Sequence, residues 1–231
     1  SKYLIHTNLE ESSCKFMVDY GMFQGAREAD EKNQKFYSEK YGVTHPTKPG
    51  LKIPEMFEAA IKKELKAVWI IGEDIVQTDP NSSHVIEAME SLEFLVVQEI
   101  FMSETAKLAT VVLPGTTFLE KDGTFTNTER RIQRVNRAVP PLPGTKTDAV
   151  IVTQMMQKLG FNQPNYDADE VLKEIADIVP FFKGVTRERL GKFGLQWPVQ
   201  EDGTDTKILH TQTFKFGKGR LKNFDWKESA E

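Results

Sequence analysis

Two carboxylates, Glu73 and Asp74, directly follow an apolar run and a glycine in this sequence. Residues 65–71 are rich in β-branched and aromatic side chains and the run breaks at Gly72, which is typical of a strand buried on both faces. In open α/β sheets, ligands bind just beyond the carboxyl ends of such strands. The two acids therefore suit a ligand that presents N–H or hydroxyl donors, such as a guanine edge or a ribose diol. The alternative is a strand-to-helix turn whose acids are solvated.

Polar residues or glycine also follow the next two predicted strands. Residues 94–97 form an apolar run that ends at Gln98 and Glu99, and residues 110–113 form another that ends close to Gly115. Short helical patterns separate these strands, so we expect a parallel sheet with right-handed crossovers. The strand ends then meet at one edge, where a single ligand can contact all of them.

Helical periodicity and terminal signals predict the remaining elements. A short strand is expected at residues 2–7, and the helix that starts near residue 80 is expected to have Asp79 as N-cap and Pro80 as its first residue. Residues 116–146 are expected to be irregular, and two short strands are expected near Ile208 and Leu221. The other predicted helical segments are 26–41, 54–61, 105–109, 148–159 and 169–179.

The composition is that of an ordinary soluble globular protein, with 28% charged and 39% hydrophobic residues. A net charge of −4 lacks the basic balance of a nucleic-acid binder, and no apolar run approaches the roughly 20 residues of a membrane span. Cys14 is the one cysteine, so no internal disulfide forms and a reducing compartment, the cytoplasm, is expected. The chain begins with Ser1 rather than Met, which indicates processing or a piece of a longer protein.

Several common site patterns are absent from the sequence. There is no glycine-rich dinucleotide fingerprint and no P-loop, no cysteine pair, and the four histidines are scattered, so no metal site is predicted on this chain. Cys14 is interpreted as a small apolar residue rather than a nucleophile. The arginines at 130, 131, 134 and 137 can meet phosphates, but a solvated or interdomain face is the favoured interpretation.

A set of short motifs resembles the molybdopterin-dependent oxidoreductases of the dimethyl-sulfoxide-reductase superfamily, and is most similar to the catalytic alpha subunit of formate dehydrogenase. The resemblance is dense over residues 42–226 and poor over residues 1–41. The motifs that carry it are 71–74 (IGED), 77–80 (QTDP), 96–101 (VVQEIF), 109–114 (ATVVLP), 120–131 (EKDGTFTNTERR), 146–148 (KTD), 194–198 (GLQWP) and 217–220 (GKGR).

The resemblance implies a Rossmann-like three-layer sandwich with a mostly parallel sheet and an irregular C-terminal extension. It divides the chain into an N-terminal segment (1–50), a domain that binds molybdopterin guanine dinucleotide (51–180) and an extension leading toward a further barrel domain (181–231). The domain would hold the nucleotide end of one half of a bis(molybdopterin guanine dinucleotide) cofactor that carries molybdenum or tungsten. The residues implied in binding are Gly72, Glu73, Asp74, Thr78, Gln98, Glu99, Gly115 and Asp148.

Within that set, Asp148 is expected to recognise guanine, because a carboxylate accepts the two adjacent N–H groups of that base as a charge-assisted pair. Asp74 and Glu99 are expected to meet ribose hydroxyls or the guanine edge. Many family members have Asp where this chain has Glu99, and the longer side chain is expected to shift or loosen that contact.

The resemblance also implies that the chain is one interior domain of a larger enzyme that oxidises formate to CO2. The parent's iron–sulfur clusters and metal ligands lie on upstream domains, so this chain carries no catalytic residue, and the isolated segment is expected to be inactive. Its expected partners are the other domains of the parent subunit and electron-transfer subunits. Two alternatives remain open: another superfamily oxidoreductase such as nitrate reductase, or a non-catalytic structural relative like the large subunit of NADH-quinone oxidoreductase.

Overall fold

A computed structural model describes residues 3–7, 31–42, 51–214, 217–218 and 221. None of the helices in these ranges is long and apolar enough to cross a lipid bilayer. The elements in chain order are β1 Tyr3–Thr7, α1 Glu31–Tyr41, α2 Ile53–Ile61, β2 Ala67–Ile71, α3 Ile75–Thr78, α4 Ser82–Glu90, β3 Phe94–Glu99, α5 Glu104–Lys107, β4 Val111–Pro114, a 3-10 turn Phe118–Glu120, β5 Gly123–Thr126, β6 Arg131–Val135, α6 Asp148–Lys158, α7 Ala168–Ile178, a 3-10 turn Pro180–Phe182, α8 Arg187–Leu190 and β7 Leu195–Gln196.

Strands β1 to β4 form one parallel sheet in the order β1-β2-β3-β4. The register pairs Ile71 with Gln98 and Glu99 with Pro114, so the last residues of β2, β3 and β4 lie at one edge. The α/β class with a mostly parallel sheet is therefore confirmed. The predicted strands at 65–71, 94–97 and 110–113 each match an observed strand to within two residues.

The two faces of the sheet carry different side chains. Val68 and Ile70 of β2 point into an apolar cluster with Val97 of β3, Phe57 of α2 and Val85 of α4. Side chains alternate along a strand, so the residues between them face the opposite side. The residue after Ile70 is also only 1% exposed, so both faces of β2 are covered, as its apolar run predicts.

A second sheet, antiparallel, lies in the segment that was expected to be irregular. β5 pairs with β6, and β6 pairs with β7. The expectation of an irregular 116–146 segment is therefore wrong. Only Ile132 of β6 is fully buried, so the strand lacks an alternating apolar pattern and backbone pairing defines it. Ile132 packs with Leu172 and Ile175 of α7 and with Phe182 in a second apolar cluster.

Arg130 makes main-chain contacts beside this second sheet, which neither interpretation of the arginine run anticipates. Its φ of 66° turns the chain, and its guanidinium donates to the carbonyls of Thr206 and Lys207 at 3.1 and 3.0 Å and to that of Trp197. The guanidinium carbon also lies 5.8 Å from the centre of the Trp197 ring. Arg130 thus fastens the segment after β7 onto the start of β6.

The predicted helix start at Asp79 and Pro80 is also wrong. Helix α4 begins at Ser82, and the Asn81 side chain caps it by accepting from the amide of His84 at 3.3 Å. Asp79 instead accepts from the amide of Asn81 at 2.9 Å, so its carboxylate closes a turn before the helix begins.

Two of the remaining predictions lie at the ends of the chain. Neither Ile208 nor Leu221 lies in a strand within the described residues; bends and an isolated Phe214–Gly217 bridge occupy the region after Ile208. Cys14 lies outside the described residues.

The division at residue 180 stays a prediction, although residues on both sides of it, in α7 and in the following 3-10 turn, share the second apolar cluster.

Candidate functional site

Main-chain hydrogen bonds tie together the loops that follow the parallel strands. The amide of Gly72 donates to the carbonyl of Gln98 at 2.8 Å, and the amide of Gly115 donates to the carbonyl of Glu99 at 3.0 Å. The amide of Lys146 donates to the carbonyl of Pro114 at 3.2 Å. These bonds link the ends of β2, β3 and β4 to the segment that leads into α6, so the edge is one connected frame.

Gly72 supplies a conformation that this frame requires. Its φ is +65°, which L-residues adopt at a steric cost, and no atom lies within 4 Å of where a Cβ would stand. The glycine therefore serves the backbone turn rather than a tight packing contact. It directs the chain away from β2 and into the two carboxylates that follow.

Gln98 and Asp148 form the centre of the site. Gln98 is fully buried, and its Nε2 donates to Oδ1 of Asp148 at 2.7 Å, across 50 residues of sequence. A Cβ placed on Gly115 would lie 3.3 Å from that same carboxylate oxygen, so a larger residue there would crowd Asp148. Three of the predicted residues thus lie side by side, and two of them, Gln98 and Asp148, share a hydrogen bond.

The carbonyl oxygen of the Gln98 side chain is buried without a hydrogen-bond partner among the described residues. Its amide nitrogen is committed to Asp148, which fixes the direction of the oxygen. A buried acceptor that lacks a donor costs about 1–3 kcal/mol, so such groups point to a function. Two further groups are buried without a hydrogen-bond partner among the described residues. They are the indole N–H donor of Trp69, which lies on the same sheet face, and the Thr116 hydroxyl.

Lys121 is the residue of the site that the sequence prediction missed. Its ammonium donates to Oδ2 of Asp148 at 3.2 Å and lies 5.6 Å from the centre of the Phe125 ring. Lys121 stands inside one of the shared motifs, but nothing local to it indicates a partner 27 residues away. Asp148 thus meets Gln98 through one oxygen and Lys121 through the other.

Asp74 is engaged within the protein. Its Oδ1 accepts from the amide and the hydroxyl of Thr105 at 3.0 and 2.6 Å, and its Oδ2 accepts from the amide of Glu104 at 3.3 Å. The Thr105 hydroxyl oxygen in turn accepts from the amide of Val76 at 3.1 Å. Burial acts to raise the pKa of Asp74, but these hydrogen bonds outweigh it and hold the pKa below its ordinary value.

Replacing Asp74 with asparagine is expected to lower the free energy of unfolding at neutral pH by about 1–2 kcal/mol, because the amide group faces a donor it cannot serve. The lowered pKa means that the native state holds the charged form, so the stabilisation is present above the ordinary value of about 3.9 and is lost as pH falls through the folded value. Urea unfolding of wild type and variant at neutral pH and at about pH 3 measures this.

The gap between wild type and Asp74→Asn should shrink as the pH falls. Asp177→Asn, at an exposed position of α7, is the matched control and should change stability little at either pH. A gap that stays equal at both pH values would contradict the assignment.

The remaining predicted residues form local contacts. The Thr78 hydroxyl donates to Oε1 of Glu73 at 3.4 Å, within the loop after β2. Glu99 accepts from the amide of the next residue, Ile100, at 2.7 Å. No group of three or more His, Cys, Asp or Glu side chains in the described ranges could hold a metal ion. The chemistry available at this edge is therefore hydrogen bonding by acceptors, with the Lys121 ammonium as one donor.

The chain matches a family model. The model for molybdopterin oxidoreductases covers residues 7–158, which is more than half of the chain and includes every residue of the predicted site.

Curated relatives are much longer than this chain. A probable oxidoreductase, YjgC of Bacillus subtilis, is 43% identical over 205 residues, which are 87% of this chain and 21% of that protein. The F420-dependent formate dehydrogenase subunit alpha of Methanocaldococcus jannaschii is 38% identical over 229 residues, 97% of this chain and 34% of that one. A putative formate dehydrogenase of Staphylococcus aureus is 45% identical over 198 residues, 85% of this chain and 20% of that one. The chain thus spans between 20% and 34% of the length of these relatives.

Among solved structures, acetylene hydratase from Pelobacter acetylenicus aligns with a TM-score of 0.46 and 19% sequence identity. The alignment covers 73% of this chain and 26% of that one.

Proposed function

The chain belongs to the molybdopterin oxidoreductase family, and from that premise we propose that it holds the nucleotide end of a bis(molybdopterin guanine dinucleotide) cofactor. The parent protein would be a formate dehydrogenase alpha subunit, as is a relative that is 38% identical over nearly the whole chain. The cofactor, when bound, supplies the metal, molybdenum or tungsten, that exchanges two electrons with the substrate. The residues of this chain would bind and orient its guanine end.

The observation that carries the proposal is the buried side-chain oxygen of Gln98, which has no donor within the described residues. It stands at the carboxyl edge of a parallel sheet, where ligands bind in open α/β folds. Its rotamer is set by its bond to Asp148, so it is preorganised to accept from a ligand N–H or O–H group. Binding such a donor removes the cost of the unpaired acceptor.

Asp148 is proposed as the group that recognises guanine. Each carboxylate oxygen has room for two hydrogen bonds, and the protein uses one at each, to Gln98 and to Lys121. The two positions that remain match the adjacent N–H groups on the edge of guanine, while adenine offers only one N–H group on that edge beside an acceptor. Gly115 leaves the space beside this carboxylate free of a side chain.

Three other predicted residues are proposed for supporting roles. Glu73, which accepts from the Thr78 hydroxyl, follows β2, and Glu99 is the last residue of β3; both would bind ribose hydroxyls. Asp74 is proposed to act through α5, since its carboxylate is bound by Thr105 and Glu104.

The activity of the parent is the conversion of formate to CO2, a proton and two electrons. The electrons would leave through iron–sulfur clusters carried by other domains and pass to electron-transfer subunits. This chain would contribute no catalytic group to that step, so we expect no formate oxidation from it alone. Its contribution would be the affinity and orientation of the cofactor.

Calorimetric titration of the full chain with GMP and GDP, with AMP as the control, tests the proposal. Guanine nucleotides are expected to bind in preference to AMP, with modest affinity because the rest of the dinucleotide's contacts would come from other domains. GMP binding that is absent at millimolar concentration, or equal to AMP binding, would contradict a guanine site on this chain.

A further inference from the structure

The ion pair between Lys121 and Asp148 differs from the others in the described part of the chain. Both side chains are largely enclosed, with 26% and 21% of their surface exposed. The pair between Lys66 and Glu93 is typical of the rest, with 53% and 63% exposed. Solvent screens exposed pairs, so they contribute little to stability, and a less exposed pair keeps more of its attraction. The Lys121 pair is therefore suited to orient a carboxylate.

The ammonium of Lys121 has one further property that bears on the ligand. It carries three hydrogens, of which Asp148 takes one, and the Phe125 ring faces the cation. A donor and a pair of acceptors therefore stand side by side at the strand edge. The edge of guanine presents two N–H donors followed by the acceptor O6, which is the complementary order.

We infer that Lys121 is a positioning and specificity residue of the nucleotide site: it holds the Asp148 carboxylate toward guanine and donates to guanine O6. The inference rests on the proposed function, because it assigns a role within the same site. It adds a residue that acts on the base and not on the phosphate, although a lysine near a nucleotide is more often a phosphate contact.

Titration of the full chain with GMP and with guanosine, which has no phosphate, separates these roles. Lys121→Met is expected to lower the affinity for both ligands by the same factor, about tenfold or more, because a charge-assisted hydrogen bond to the base is lost. Lys121→Arg should restore affinity to within about threefold, since it keeps the positive donor. The thermal midpoint of Lys121→Met should fall only slightly, because both side chains of the pair keep some exposure to solvent, which limits its contribution to about 1 kcal/mol.

Lys66→Met is the matched control, because it removes the lysine of an ion pair at the amino ends of the strands, on the opposite edge of the sheet. It should leave both affinities unchanged. If Lys121→Met lowers the affinity for GMP but not for guanosine, the lysine acts on the phosphate and the inference is overturned. The same holds if neither affinity changes in Lys121→Met while wild type binds GMP, an outcome that leaves the proposed function intact. If wild type binds neither ligand, the proposed function fails and this inference fails with it.

Discussion

The Asp148→Asn variant is expected to bind GMP more weakly by about 1–3 kcal/mol, a fivefold to hundredfold rise in Kd by order of magnitude. Asparagine can still accept from the amide of Gln98, but its own amide group then faces the Lys121 ammonium and offers guanine a donor where an acceptor is needed. Calorimetric titration of wild type and variant at equal ionic strength measures the difference. AMP binding should not change.

Asp169→Asn is a matched control for this experiment. Asp169 also lies in the first turn of an eleven-residue helix, α7, and also pairs with a cation, Arg187. It has the same charge and also lies in a first helical turn, but its helix packs against Ile132 of the second sheet. If Asp169→Asn lowers the affinity for GMP as much as Asp148→Asn does, the loss of affinity comes from the change in net charge and Asp148 has no specific role.

Gly184→Ala is expected to destabilise the protein by about 3 kcal/mol or more, the largest effect on stability that we expect from a single methyl group. A Cβ at this position would lie 1.6 Å from the carbonyl oxygen of Gln200 and 3.0 Å from a methyl group of Val199. The oxygen belongs to the main chain and cannot rotate away. The segment around 200 would have to separate from the one around 184, which Arg189 also joins by donating to the carbonyls of Gly184 and Glu201.

Gly160→Ala separates this clash from the ordinary cost of replacing a glycine. Gly160 has a φ of +90°, but nothing lies within 4 Å of its Cβ position, so only backbone strain of about 1–2 kcal/mol is expected. Urea unfolding of both variants gives the comparison. A loss at Gly184 no larger than that at Gly160 would contradict the close approach of the two segments.

The parallel sheet could be predicted because its strands carry their signal locally. β2 and β3 are short apolar runs rich in Val and Ile, and each breaks at a polar residue or glycine. The β5–β6 hairpin has no such signal, since Ile132 is the one buried residue of β6 and the rest of that strand is polar or partly exposed. The hairpin is defined by hydrogen bonds between main-chain atoms, which a pattern of side chains in the sequence does not reveal.

The candidate site divides in the same way. Asp148 could be chosen from the sequence, but its contacts with Gln98 and Lys121 span 50 and 27 residues, and no local spacing encodes them. For Asp74 the sequence predicts a ligand contact, because the residue follows a strand. In the structure its carboxylate is instead bound by Thr105, from a helix 31 residues later.

The connected frame at the strand edge also bears on how this site can change. The bonds from Gly72 to Gln98, from Gly115 to Glu99 and from Lys146 to Pro114 all join main-chain atoms. A substitution of the side chains at 73, 99 or 146 leaves those bonds in place, so the loops can keep their course while the groups they present are exchanged. The groups presented to a ligand at this edge can therefore be redesigned, or drift over evolution, one side chain at a time without rebuilding the main chain that carries them.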